Sequence, residues 1–131
     1  MIFVDSGGWF AGVVSDDEDH EKAKLWLNKN RELLFTTNYI VDETLTLLRS
    51  RGENRKALEF GKLIFDNSLA EVYFLTEEDI LQTWKIFQKF SDKDWSFTDC
   101  SSKLVCEKFG ISYAFSFDKH FRQFGTVTVT P

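Results

Sequence analysis

The chain has little of what a coreless, stapled or linker-rich protein is made from. Its 131 residues include one proline, two cysteines, one methionine and seven glycines. No linker, internal repeat or low-complexity tract is present. No apolar run approaches the roughly 20 residues of a membrane-spanning helix, so no membrane segment is expected. Residues 1–15 lack the basic start of a secretory signal, which points to a cytoplasmic protein. The two thiols are Cys100 and Cys106. On one helix they would stand about 9 Å apart along the axis, too far for a disulfide. Both read as reduced side chains used for packing. Also missing are a phosphate-binding loop, a dinucleotide glycine fingerprint, a Ser/His/Asp set and a His/Cys group at zinc spacing.

Positive charge is short too. Sixteen Lys and Arg face 21 Asp and Glu, for a net charge of −5, which argues against a broad basic nucleic-acid surface. If four carboxylates hold metal, however, the rest of the protein carries only −1. Bound divalent cations would then invert the sign of the site itself, so an RNA or DNA substrate stays open. Apolar bulk is plentiful: 43% of residues are hydrophobic, with 14 Phe and 4 Trp. That suffices for one core, and residues 1–131 are expected to form one domain.

Ile2-Phe3-Val4 reads as a strand buried on both faces, ended by Asp5 and then Ser6-Gly7-Gly8, whose glycines break the strand. An ionised acid at the rim of an apolar core is poorly placed for stability, and in open parallel sheets that rim is where ligands bind. A helix is expected over about 19–30, burying Ala23, Trp26 and Leu27, with His20 in its first turn as an exposed residue or a substrate contact. Leu33 to Thr36 is a second strand. Thr37 or Asn38 then caps a helix to about Arg51, in which Glu43 falls within the apolar stripe of Ile40, Thr44, Leu47 and Leu48. Arg49, Arg51, Arg55 and Lys56 cluster around Gly52, before a helix over about 53–67; they read as a solvated face or as phosphate contacts.

Val72 to Leu75 is the third strand. Thr76 and Asp79 have capping-box spacing and open a helix expected to bury Ile80, Leu81, Trp84 and Phe87. Ser96 and Asp99 repeat that spacing at the start of a helix ending near Phe109-Gly110, with Asp92 and Asp94 as loop acids before it. Ile111 to Phe115 is the fourth strand. Asp118 follows it as Asp5 follows the first, with Lys119, His120 and Arg122 either phosphate-facing or solvated. Thr126 to Thr130 alternates like an edge strand. Strands alternating with helices give an α/β fold with a parallel sheet and right-handed crossovers.

Four acids can thus gather at one rim: Asp5, Glu43, Asp99 and Asp118. Crowded like charges are costly unless a cation lies between them. Oxygen-only ligation suits Mg²⁺ or Mn²⁺, which orient a water, lower its pKa and neutralise a phosphodiester. A phosphoacceptor receiver domain fits less well. It expects paired acids after the first strand, whereas Asp5 stands alone, and an acceptor after the third, where Thr76 to Asp79 reads as a helix cap.

Four segments in order, Phe3-Val4-Asp5-Ser6, Thr37 to Leu45 around Glu43, Trp95-Ser96-Phe97-Thr98-Asp99-Cys100 and Phe117-Asp118-Lys119-His120-Phe121, resemble the PIN-domain ribonucleases. Among these the pattern looks most like the VapC-type toxins of toxin–antitoxin pairs. Each segment alone is a weak signal; four in order are a strong one. The resemblance implies a three-layer α/β/α fold with a five-stranded parallel sheet ordered 3-2-1-4-5. It implies Asp5, Glu43, Asp99 and Asp118 as catalytic acids binding Mg²⁺ or Mn²⁺, with Ser6, Ser96 and Thr98 as hydroxyls orienting them. It also implies an RNA substrate, an antitoxin protein and a homodimer. Gly7-Gly8 departs from the family, which more often starts a helix there with small or apolar residues. The expected function is a metal-dependent endoribonuclease, the toxin of such a pair, cleaving RNA through an Mg- or Mn-activated water. The alternative is a catalytically silent PIN-like module that binds RNA or a partner at the same rim.

Overall fold

The computed structural model describes residues 1–131. Five strands alternate with helices: β1 Ile2–Val4, β2 Leu34–Thr37, β3 Glu71–Tyr73, β4 Tyr113–Phe115 and β5 Thr128–Thr130. All are parallel, in the order β3-β2-β1-β4-β5, which is the order the resemblance implies. Phe3 and Val4 point to opposite faces of the sheet, and neither is exposed to solvent. Helices therefore cover both faces, giving three layers. β5 lies at the edge, as its alternation predicts.

Seven helices complete the chain: α1 Ser6–Val13, α2 His20–Lys29, α3 Asn38–Ser50, α4 Asn54–Phe65, α5 Glu77–Lys89, α6 Phe97–Lys108 and α7 Lys119–Arg122. The caps expected from sequence are present. Thr37 caps α3, and Thr76 with Asp79 and Ser96 with Asp99 close full capping boxes on α5 and α6. Cys100 and Cys106 are buried free thiols; burial pushes them up to about 11 and about 12, so both stay protonated and inert.

Two expectations need correction. Gly7-Gly8 does not form a loop; it lies in the first turn of α1. A Cβ at Gly8 would sit 2.8 Å from the Phe115 carbonyl oxygen and 3.0 Å from the Phe115 ring. Glycine is needed there because the helix start presses onto the end of β4, and that close approach overrides glycine's poor helix propensity. The second correction concerns α5, which turns its expected core face outward. Leu81, Trp84 and Phe87 are 56%, 50% and 39% exposed, while Asp79 and Thr83 are buried and Ile80 and Ile86 half-buried. The helix is apolar on two sides. It packs against α6 through the side bearing the small Thr83, whose hydroxyl donates to the Asp79 carbonyl at 2.7 Å and so brings no unsatisfied polar group inside.

The two glycines predict opposite outcomes. Gly8→Ala should destabilise the protein by about 1–3 kcal/mol, because neither the Phe115 backbone nor Asp5 can give way. Gly7→Ala, whose Cβ would meet only Asp5 Oδ1 at 3.7 Å, should be neutral or stabilising by up to about 1 kcal/mol. Urea unfolding of both variants checks the pair.

Candidate active site

The sheet order brings the carboxyl ends of β1 and β4 side by side, with Val4 opposite Phe115. Asp5 and Asp118 follow those ends. Each also caps the helix after it: Asp5 Oδ1 accepts from the Gly8 amide at 2.7 Å, and Asp118 Oδ1 from the His120 amide at 2.9 Å. Asp99 enters from the first turn of α6, where its Oδ2 accepts from the Ser96 amide at 3.0 Å. Three of the four expected acids are thus held by the geometry of a helix start.

Asp5 is 4% exposed. Its Oδ2 accepts a hydrogen bond from Ser116 Oγ at 2.5 Å, and Ser116 Oγ also accepts from the Asp118 amide at 3.0 Å. Ser116 therefore ties the two rim acids together. No cation reaches Asp5. Burial, helped by the charges of Asp118 and Asp99, pushes its carboxyl up to about 7 against the pull of its two hydrogen bonds. Asp99 is raised for the same leading reason, burial, with Asp118 adding to the shift and the Ser96 amide and His120 opposing it. Asp79 makes the contrast clear. It is equally buried, yet Lys108 at 2.8 Å, the Tyr73 hydroxyl and the Thr76 amide hold its carboxyl well below the usual range. A buried acid that only supports the fold has a cation partner; Asp5 has none.

Glu43 lies at the edge of the apolar stripe of α3 rather than within it. Its carboxylate is exposed and accepts from the Ser6 hydroxyl at the start of α1. The Ser6 hydroxyl thus contacts a carboxylate, whereas the Ser96 hydroxyl accepts from the Asp99 backbone amide at 3.0 Å and it is the Ser96 amide that reaches the carboxylate. The Thr98 hydroxyl contacts none, and its backbone carbonyl accepts from Ser101 Oγ at 2.6 Å. Asp94 is exposed and stands apart. His20 is tied to the Ala11 carbonyl at 2.8 Å, joining α2 to α1.

Sequence reasoning missed two contributors. One is Ser116; its place at the end of an apolar strand and two residues before an acid was the available signal. The other is His120, neither solvated nor turned to open surface. Its Nδ1 lies 3.2 Å from Asp99 Oδ2 and 3.3 Å from Asp118 Oδ1. Asp99, Asp118 and His120 offer donor atoms all within 4.8 Å of one another, each half-buried. Two carboxylates and an imidazole with donor atoms this close are the chemistry of a site that accepts a divalent cation, so the residues present fit one.

A parallel α/β sheet carrying buried acids at the carboxyl ends of its central strands defines a ligand- or metal-handling class. The chain belongs to the PIN-domain family, whose model matches residues 2–127. It is 33% identical over 132 aligned positions to the 23S rRNA-specific endonuclease VapC20 of Mycobacterium tuberculosis, covering 100% of this chain and 99% of that protein. The crystal structure of that organism's VapC20, described as a sarcin–ricin loop cleaving toxin, superposes with a TM-score of 0.93 at 31% identity, covering all of both chains. FitAcB from Neisseria gonorrhoeae shares the fold at a TM-score of 0.71 and 14% identity, over 100% of this chain and 97% of that one.

The Asp5 carboxyl sets a pH dependence. It ionises near pH 4 in the unfolded chain and near 7 in the folded one. Folding stability therefore falls as pH rises from about 4 to about 7, then levels off. In metal-free protein, Asp5→Asn should raise stability at pH 8 by about 1–4 kcal/mol, at about 1.4 kcal/mol per pKa unit. The gain should vanish near pH 4. Urea unfolding in EDTA at both pH values checks this, and no gain at pH 8 would mean the carboxylate is well solvated.

Proposed function

We propose that residues 1–131 act as one metal-dependent endoribonuclease domain, the toxin of a toxin–antitoxin pair, working in the cytoplasm. The observation that carries the reading is Asp5: a buried acid without a cation partner, beside Asp99 and Asp118, in a chain related along its whole length to a 23S rRNA-specific endonuclease. Asp5, Glu43, Asp99 and Asp118 would hold Mg²⁺ or Mn²⁺. When bound, such an ion neutralises phosphate charge and acidifies water.

The chain's own residues do the rest. Ser116 and the Gly8 amide aim the Asp5 carboxylate, the Ser96 amide aims Asp99, and Ser6 aims Glu43. Lys119 and Arg122, exposed on α7 beside Asp118, offer counter-charge to an RNA backbone. Water attacks phosphorus in line and the bond to the leaving ribose oxygen breaks, with no covalent enzyme intermediate. The sarcin–ricin loop named for the relative makes ribosomal RNA the first substrate to try.

Two surfaces suit protein partners. The outward face of α5, where Trp84 and Phe87 stack at 6.0 Å, suits a second copy of the chain. A trough between α3 and α4, lined by Leu45, Leu58 and Phe65 and edged by Arg49 and Lys62, suits an antitoxin segment.

Purified protein incubated with ribosomes or total RNA should yield discrete fragments with Mg²⁺ or Mn²⁺ and none with EDTA. Asp99→Asn should lower cleavage by at least roughly a hundredfold while the fold is retained. Intact RNA with every metal, from folded protein free of any antitoxin, would favour the silent binding module instead.

A further inference from the structure

The most unusual donor in the acid group is an imidazole. We propose that His120 contributes Nδ1 as a direct nitrogen ligand to the divalent ion, giving a mixed nitrogen–oxygen site that favours Mn²⁺ over Mg²⁺. The inference rests on the reading that Asp99 and Asp118 hold such an ion.

The first support is the spacing of the donors. His120 Nδ1 is almost equidistant from Asp99 Oδ2, at 3.2 Å, and Asp118 Oδ1, at 3.3 Å. A ring nitrogen carries at most one hydrogen, so it cannot make a full hydrogen bond to both oxygens. Neighbouring ligands of an octahedral ion stand about 1.4 bond lengths apart, roughly 2.9 Å for Mg²⁺ at about 2.0–2.1 Å. The two distances that meet at His120 Nδ1 are slightly longer, as a larger ion requires. Both oxygens already accept one backbone amide, from Ser96 and from His120 itself, and each keeps a second lone pair for a cation.

The second support is that the ring is held in place before any ion arrives. Its backbone amide is fixed on Asp118 at 2.9 Å. The next residue, Phe121, is 1% exposed and packs on Phe3 of β1 and on Phe124, with centroids 5.9 and 4.7 Å apart. α7 is thus anchored to the central strand, which fixes the backbone of His120 beside the two acids. Preorganisation of this kind characterises a ligand more than a surface histidine.

The third support is chemical. Mg²⁺ sites are built from oxygen and water, whereas imidazole is a common ligand for first-row transition metals. Replacing one oxygen by nitrogen therefore shifts preference toward Mn²⁺.

Pulsed electron paramagnetic resonance of the Mn²⁺-loaded full chain tests this without reference to activity. Wild-type protein should show coupling to a directly bound ¹⁴N, and growth with ¹⁵N-histidine should convert it. Only two histidines exist, and His20 is engaged with Ala11, so the assignment is unambiguous. His120→Ala should lose the coupling and weaken Mn²⁺ at least roughly tenfold, with Mg²⁺ affected less. Bound Mn²⁺ without histidine coupling in the wild type, or coupling that survives in His120→Ala, would overturn the inference alone. Failure of the folded protein to bind Mn²⁺ at all would overturn it together with the metal-dependent reading.

Discussion

The carboxylate of Asp5 is the constraint around which the molecule is arranged. It ends the central strand, caps the first helix and lies within reach of the loop after β4, all with one side chain. An ionised carboxylate under that much protein costs several kcal/mol unless it is paired. Two hydrogen bonds recover part of that cost, and neither comes from a positive charge. Gly8 exists to let the helix amide reach it, and Ser116 to reach it from the other strand. Asp99 and Asp118 then add repulsion instead of relief. A fold selected for stability alone would have put a lysine there, as it does at Asp79.

The rest of the structure makes this expense tolerable. Phe3, Val4, Phe115 and Phe121 surround the rim from below with essentially no solvent contact. Trp26 stacks on Phe115 with centroids 4.3 Å apart, while its indole N–H donates to Thr130 at the sheet edge at 2.8 Å. The ends of β1 and β4 that lead to the acids are thus fully buried, and the charges rest on a packed platform. Asp5, Asp99 and Asp118 are also aimed by backbone amides at helix starts.

Much of this was legible in the sequence, for identifiable reasons. Buried strands betray themselves as apolar runs, and capping boxes such as Thr76 with Asp79 carry their geometry in their spacing. The sheet order came from the resemblance, since apolar runs say nothing about which strand lies beside which. Asp5 and Asp118 stood out at strand ends, Glu43 beside an apolar stripe, and Asp99 as the capping-box acid of a helix start. α1 was hidden because two glycines lower local helix propensity, while the contact that demands one of them is with residue 115. The buried side of α5 was ambiguous because both sides are apolar, and the choice depends on how closely α6 can approach. His120 was hidden because its partners are two and 21 residues away, a separation that no periodicity links.

Ser116 and Asp5 are 111 residues apart in the chain, and that separation bears on the life of the protein as it is made. β1 leaves the ribosome first but waits as a bare apolar strand for one of its two neighbours until β4 has followed. Until then Asp5 has no serine, no second rim acid and no reason to be buried. A nascent chain cut off short of Asp118 carries Glu43 and Asp99 yet has no assembled acid group. The acid group thus forms only after β4 and Asp118 have been made.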